Sequence, residues 1–331
     1  MKAFPFLFVF LALAGCSVLP HTAAQAVPLV SDLEPSNTPF LPVTSTSIPS
    51  RPPTRAATVN QKPTELLIET FFPETPVPTR TPKPPTRTPR PTKTPEFTPT
   101  WAFNPAGEVT APILVYHHIV LGDPQNLYSV SVDIFRKQME ALHDFGYTAI
   151  PISLLVQAIT QGAELPPRPV VITFDDGNRD IYENAFPILQ EMGFVATMYL
   201  IDSYLDSGGG SLSIEQAQDL LAAGWEFGSH SMTHSDLTGN HDILWYEIKN
   251  SRKVLEERIG APVQTFAYPF GAMDAASLDW ARNSYTAAVG LGVSSQHWIS
   301  TLFYLSRFDM RSTVDMAQFI NFLPWKDQSG N

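Results

Sequence analysis

One cysteine, Cys16, is all the thiol that this 331-residue chain carries. No internal disulfide can staple the fold, so its stability has to come from an apolar core. Basic residues are scarce in the C-terminal two thirds. From residue 106 onward there are 12 Lys and Arg against 26 Asp and Glu, a balance of −14, whereas the first 105 residues carry 9 against 6. So acidic a surface repels phosphate backbones and excludes nucleic acid as a partner. Long hydrophobic runs are lacking too. The apolar stretch that begins at Phe4 ends near Leu19 and contains Pro5, short of the ~20 residues that a bilayer span needs.

What stands at the start is Lys2, an apolar segment from Phe4 to Leu13, and then Leu13-Ala14-Gly15-Cys16. That order reads as a secretory signal, and its last four residues resemble the bacterial lipobox, at which the cysteine becomes the lipid-bearing N-terminus. The expectation is a lipoprotein signal peptide over residues 1–15. Acyl chains on Cys16 would then anchor the protein to a membrane, in the cell envelope or outside the cell. Proline is abundant but concentrated, with 19 of 31 between Pro28 and Pro105. Thr-Pro repeats there alternate with Arg80, Lys83, Arg87, Arg90 and Lys93. Such a tract cannot bury enough surface to offset its chain entropy and favours polyproline II. Residues 16–107 therefore read as a disordered spacer, whose tract from about Pro28 to Pro105 would have a reach on the order of 200 Å at ~3.1 Å per residue.

Beyond Gly107 strand and helix signals alternate. Val170-Val171-Ile172-Thr173-Phe174 is a buried strand bounded by Pro169 and Gly177, and it lifts Asp175 and Asp176 out of the core. Adjacent side chains on an extended backbone diverge, so the two acids suit separate jobs. Strands are also predicted over 112–116, 147–150, 195–200, 225–228, 265–268 and 287–289. Helices are predicted over 153–159, 181–192, 243–259 and 275–283, with another capped by Asp133 and one opening on a Ser213…Gln216 capping box. About seven β/α units in this space point to an α/β fold, a distorted (β/α) barrel over residues 108–331. His117, Asp175-Asp176, His230 and Tyr268-Pro269-Phe270 all fall just past strand C-termini, where catalytic groups gather in such folds. His230 and His234 are four apart, a spacing that on a helical turn puts both on one side as ligands of one ion. With an acid from another strand end they make a His₂Asp set that leaves positions open. His297, Trp298 and the 202–211 stretch with its three glycines are candidates for the cleft border.

Thr173-Phe174-Asp175-Asp176-Gly177 together with His230-Ser-Met-Thr-His234 resembles the paired motifs of the NodB-homology polysaccharide deacetylases, carbohydrate esterase family 4. Val115-Tyr116-His117-His118-Ile119, Phe266-Ala267-Tyr268-Pro269-Phe270-Gly271 and Leu305-Ser306-Arg307 are similar to a branch acting on cell-surface or biofilm N-acetylglucosamine polymers. The resemblance spans about residues 109–323. It implies hydrolytic N-deacetylation with one divalent ion, zinc first, with cobalt, nickel or iron also suiting the donors. Carried over, Asp176, His230 and His234 hold the metal and Asp175 is the general base. His117 is the general acid, with His118 as the alternative, and Phe270 supplies a backbone N–H to the oxyanion, with Tyr268 beside it. Many members have an arginine where this chain has Ala267; Arg307 is the candidate replacement that orients the base. The implied partner is an N-acetylated polysaccharide (biofilm polymer, peptidoglycan or chitin-like) met by a monomer. An O-acetyl esterase and a catalytically silent polysaccharide-binding lipoprotein are the competing readings.

Overall fold

The computed structural model describes residues 100–124 and 126–327. The expected signal peptide, Cys16 and the Pro/Thr-rich tract as far as residue 99 lie outside the described residues.

Eight short strands build one sheet: β1 Ile113–Tyr116, β2 Thr148–Ala149, β3 Pro169–Phe174, β4 Thr197–Leu200, β5 Glu226–Ser229, β6 Thr265–Ala267, β7 Ala287–Val289 and β8 Phe308–Asp309. In space they run β7-β6-β5-β4-β3-β1-β8, with β2 beside the start of β3. Every pairing is parallel, so each return needs a crossover. Six of these hold α1 Val132–Asp144, α2 Ile152–Gln161, α3 Phe186–Glu191, α4 Ile214–Ala222, α5 Ser251–Ile259 and α6 Ala275–Ser284, and α7 Met316–Phe322 follows β8. The end strands β7 and β8 form no ladder. They approach through a Val289–Leu305 bridge, and Gly290 N and Gly292 N donate to Leu305 O and Arg307 O. The sheet is thus a curled half-barrel, the distorted (β/α) barrel that the alternation predicts. β8, two residues long, carries no periodic signal of its own.

Alternation along β3 sets the site. Val170, Ile172 and Phe174 pack in one core cluster with Phe135, Met139 and Leu142 of α1, while Val171 joins a second with Ile113, Tyr199, Ala267 and Val289. Each fully buried apolar side chain of this size contributes about 1.5–3 kcal/mol. Thr173 shares the face of Val171, and its hydroxyl donates to Leu114 O at 2.8 Å. By the two-residue period Asp175 continues that inner face.

Several local expectations change. Ser131, not Asp133, caps α1 by accepting from Ile134 N, and Asp133 sits in the first turn. The helix expected over 181–192 opens as a π-helix, Ile181–Ala185, before α3. Pro187 lacks the N–H that an α-helix would give the carbonyl four residues back, so the backbone widens there. The helix expected over 243–259 is likewise interrupted by a π-helix, Trp245–Asn250. Ala102–Asn104 pairs antiparallel with Ala163–Leu165, so folded structure begins ahead of the expected boundary at residue 108. Its single aromatic, Phe103, stands too close to the proline tract for composition to separate the two.

Candidate active site

The C-terminal ends of β1, β3, β5 and β6 open on one cleft of about 260 Å³. It is lined by His117, His118, Asp175, Asp176, His230, His234, Tyr268, Phe270 and Arg307, and also by Asn126, Tyr128, Leu291, Asp309 and Arg311. Residues up to 194 positions apart meet there because the parallel strands all end on the same side.

Asp175 is 2% exposed and Arg307 1%. The guanidinium holds the carboxylate with two bonds, Nη1 donating to Oδ1 at 2.7 Å and Nη2 to Oδ2 at 2.8 Å. Arg307 Nε donates to Gly290 O at 3.0 Å, which locks the fork in plane. Burial by itself pushes the Asp175 carboxyl up. Burial is the largest single influence, but the charge of Arg307, then His230, the Arg307 hydrogen bonds and His117 together outweigh it, so the group is held well below the usual carboxylate range.

Asp176 leaves the inner face because the chain turns at once: it has φ 75° and Gly177 φ 81°, left-handed values that Asp tolerates and Gly accepts freely. Asp176 Oδ1 is buried and has no hydrogen-bond partner. It lies 3.7 Å from His230 Nε2 and 3.7 Å from His234 Nε2. His230 Nδ1 is 2.8 Å from Ala267 O. A carbonyl only accepts, so the proton is on Nδ1 and the Nε2 lone pair faces the cleft. Burial first, and then the neighbouring His230, lower the pKa of His234, which favours the neutral, ligating imidazole. The three donor atoms lie within 4.8 Å of one another, too far apart for mutual hydrogen bonds. The two 3.7 Å distances from Asp176 Oδ1 to the imidazole nitrogens are close to the spacing of neighbouring ligands that sit about 2.0–2.2 Å from one ion. An orphaned carboxylate oxygen and two aimed imidazoles fit a divalent cation.

His230 and His234 do not share a helical turn. They flank a loop in which Ser231 has φ 69° and His234 φ 62°, and Ser231 Oγ accepts from His234 N at 2.8 Å. Two left-handed residues bring the rings to 4.8 Å between centroids, a route that residue spacing does not reveal. His117 stacks obliquely on Tyr128 at 5.0 Å, and its Nδ1 is buried without a partner. His118, by contrast, donates from Nδ1 to Asp180 Oδ2 at 2.7 Å. That bond raises its pKa, against the opposing effect of burial. Phe270 has φ 61° and is 63% exposed, its ring 4.5 Å from His234. Tyr268 is fully buried with its hydroxyl unpartnered, and burial pushes its pKa up.

His297 and Trp298 do not border this cleft. His297 is fully buried and donates from Nε2 to Ala111 O at 3.0 Å, at the opposite, N-terminal end of β1. The 202–211 stretch does not line the cleft either. It is tied to the turn after Asp176, since Arg179 N donates to Gly210 O and Leu212 N to Gly177 O. Tyr128, Asp309 and Arg311 escape sequence reasoning because each lies in a loop or short strand without periodic signal, and Asp180 because it sits in the helical turn just ahead of the expected helix start at 181.

Residues 162–288 match the family model described as polysaccharide deacetylase. The chain is 30% identical over 161 residues to the YxkH protein of Bacillus subtilis, covering 48% of this chain and 56% of that one. It is 27% identical over 192 residues to the poly-β-1,6-N-acetyl-D-glucosamine N-deacetylase of Staphylococcus epidermidis, covering 50% of this chain and 66% of that one. It thus spans between about half and two thirds of these relatives' lengths. Among solved structures it resembles the Streptococcus pyogenes deacetylase PplD in complex with acetate, with a TM-score of 0.59 and 25% identity, covering 65% of this chain and 98% of that one. Family match, half-barrel and strand-end cleft agree, and the chain carries a polysaccharide deacetylase domain of the NodB-homology type.

Proposed function

We propose that this protein is a divalent-metal-dependent hydrolase that removes acetyl groups from N-acetylglucosamine units of an extracellular polysaccharide. The observation that carries the reading is one buried carboxylate, Asp175, gripped by Arg307 beside a second, unpartnered one, Asp176, that faces two imidazoles. A binding module has no use for a base held ionised next to a cation site. The Staphylococcus epidermidis relative named for poly-β-1,6-N-acetyl-D-glucosamine supports that polymer class as substrate.

Asp176, His230 and His234 would hold the ion. When bound, it supplies Lewis-acid polarisation of the acetamide carbonyl and makes a neighbouring water more acidic. Asp175 takes the proton from the attacking water as the oxygen bonds to the acetyl carbon. Its low pKa makes it ready at any physiological pH, and Arg307 fixes its lone pairs. The Phe270 N–H donates to the oxygen that gains charge. His117 gives a proton to the amide nitrogen as the C–N bond breaks, because an unprotonated amine leaves poorly, and acetate and the free amine result. Two imidazoles and a carboxylate suit zinc, and also cobalt, nickel or iron. Lipid on Cys16 would keep the domain at the cell envelope on its long spacer.

The test is acetate release from β-1,6-linked N-acetylglucosamine oligomers, chitooligosaccharides and peptidoglycan, with and without chelator. Asp175→Asn should abolish turnover and retain metal, whereas His234→Ala should lose the metal. Absence of chelator-sensitive acetate release from all three substrates defeats the proposal.

A further inference from the structure

The π-helix Trp245–Asn250 and the carboxylate buried inside it are left unexplained by the chemistry above. Glu247 is 3% exposed and pairs with no cation among the described residues. A bare carboxylate in such a place is costly unless hydrogen bonds satisfy it. Glu247 Oε2 accepts from Met232 N at 3.0 Å and from Thr233 N at 2.9 Å, and Oε1 accepts from Thr233 Oγ1 at 2.6 Å. All three donors belong to the loop between His230 and His234.

A second tie holds the loop's other end. Ser251, the first residue of α5, has its Oγ 2.9 Å from Ser229 Oγ, just before His230, and donates to Glu247 O at 2.7 Å. A hydroxyl thereby serves the carbonyl that an α-helix would satisfy with a backbone N–H. The extra residue of the π-turn lets Glu247 and Ile248 both face inward while Trp245 and Tyr246 stay exposed. Irregular helical turns of this kind concentrate at functional sites. The loop itself cannot hold its shape unaided. Ser231 and His234 both have positive φ without being glycine, conformations that persist only where the surroundings over-determine them.

We infer that Glu247 is a positioning residue for the metal site: through Met232 and Thr233 it clamps the left-handed loop that aims His234 at Asp176 and His230. The inference rests on the proposed role of those three residues as metal ligands. Groups that orient ligands from outside typically account for 10–100-fold of metal affinity. Glu247 acts at one further remove, on the backbone that carries the ligand.

Two substitutions of matched size test it. Glu247→Leu fills the volume but offers no acceptor. Glu247→Gln keeps one oxygen for both amides and can donate from its NH₂ to Thr233 Oγ1, which is then free to donate to Ser235 Oγ, 2.8 Å away. With Co²⁺ as probe, affinity from chelator competition should fall about 10–100-fold in the leucine variant. It should fall only a few-fold in the glutamine variant, because charge-assisted bonds are about twice as strong as neutral ones. The visible Co²⁺ spectrum should change in the leucine variant and be restored by glutamine. Hydrogen exchange on metal-free protein, below any melting transition, should show the Met232 and Thr233 amides losing protection in the leucine variant while amides of β3 and β4 keep theirs.

Unchanged exchange at Met232 and Thr233, or wild-type Co²⁺ affinity in the leucine variant, overturns the inference. Equal losses in both variants do so as well, since the acceptor geometry is then irrelevant. A wild-type protein that fails to bind Co²⁺ although these amides are clamped overturns the metal assignment on which the inference stands.

Discussion

Replacing Arg307 with alanine strips the buried Asp175 carboxylate of both its hydrogen bonds and its countercharge at once. The two side chains are 1% and 3% exposed, so solvent cannot compensate. Removing one partner of a buried ion pair costs about 3–5 kcal/mol. For a domain of this size that is roughly 6–20 °C in Tm, at about 2–4 °C per kcal/mol. The pH dependence carries more information than the size. With Arg307 present, the depressed pKa of Asp175 stabilises the fold above the unfolded carboxylate pKa, and this is lost as pH falls through the folded value. Without Arg307, burial is the largest influence left and raises the pKa above its unfolded value. The variant is then worst at neutral pH and recovers as acid protonates Asp175. Thermal melts of metal-free wild type and variant at pH 8 and pH 5 should show the gap narrowing on the acid side. In acetate-release assays kcat should fall by as much as the ~10²–10⁴-fold that a positioned base supplies, and the acid limb of the pH profile should move up. An equal Tm gap at both pH values together with wild-type turnover would refute the orienting role.

Three further outcomes are expected. His297 is fully buried, and burial, opposed by its bond to Ala111 O, pushes its pKa down to about 4 from 6.5. The unfolded chain therefore binds the proton first, and stability drops as pH falls from 6.5 to about 4, by about 3 kcal/mol in all at 1.36 kcal/mol per unit. Denaturant titrations of His297→Gln should show that part of the acid slope gone. Gly228→Ala puts a methyl 2.3 Å from Tyr199 Cε1 and 3.0 Å from Thr265 O, in the middle of the sheet. Overpacking of that kind costs about 1–3 kcal/mol, readable as a lowered urea midpoint with an unchanged m-value. Ser213→Ala removes the hydroxyl that accepts from Gln216 N at 3.2 Å in the α4 capping box. It should cost about 0.5–2 kcal/mol without altering acetate release.

Much of the site could be read in one dimension because the strands that carry it are strongly patterned. The β3 run from Val170 to Phe174 has both faces buried, so its apolar character and its end at Asp175-Asp176 are plain in the residues. The β/α alternation dictates a parallel sheet, and a parallel sheet gathers all strand C-termini on one side. His117, Asp175, Asp176, His230 and Phe270 follow from that rule without coordinates.

Tertiary structure decided what depends on contacts distant in sequence or on backbone torsions that no residue type enforces. The imidazoles converge through a loop with two left-handed non-glycine residues, whereas spacing favours a helical turn. His297, next to Trp298 and so a candidate for the cleft, points to the far end of the barrel because its strand pairs with Val109. The two early histidines are alike as letters, yet one is engaged by Asp180, and the other lines the cleft with its Nδ1 buried and unpartnered. Glu247 looks like an ordinary helix-surface acid until a π-turn rotates it inward. Residue types and their order determined the family, the sheet and the strand-end acids and imidazoles, since these are set by local hydrophobic pattern. The Leu305-Ser306-Arg307 motif names Arg307 as a candidate beside Asp175, but the two-bond grip it makes, and what holds His234 in place, were decided only where the curled sheet brought Arg307 and Glu247 against residues far from them in the chain.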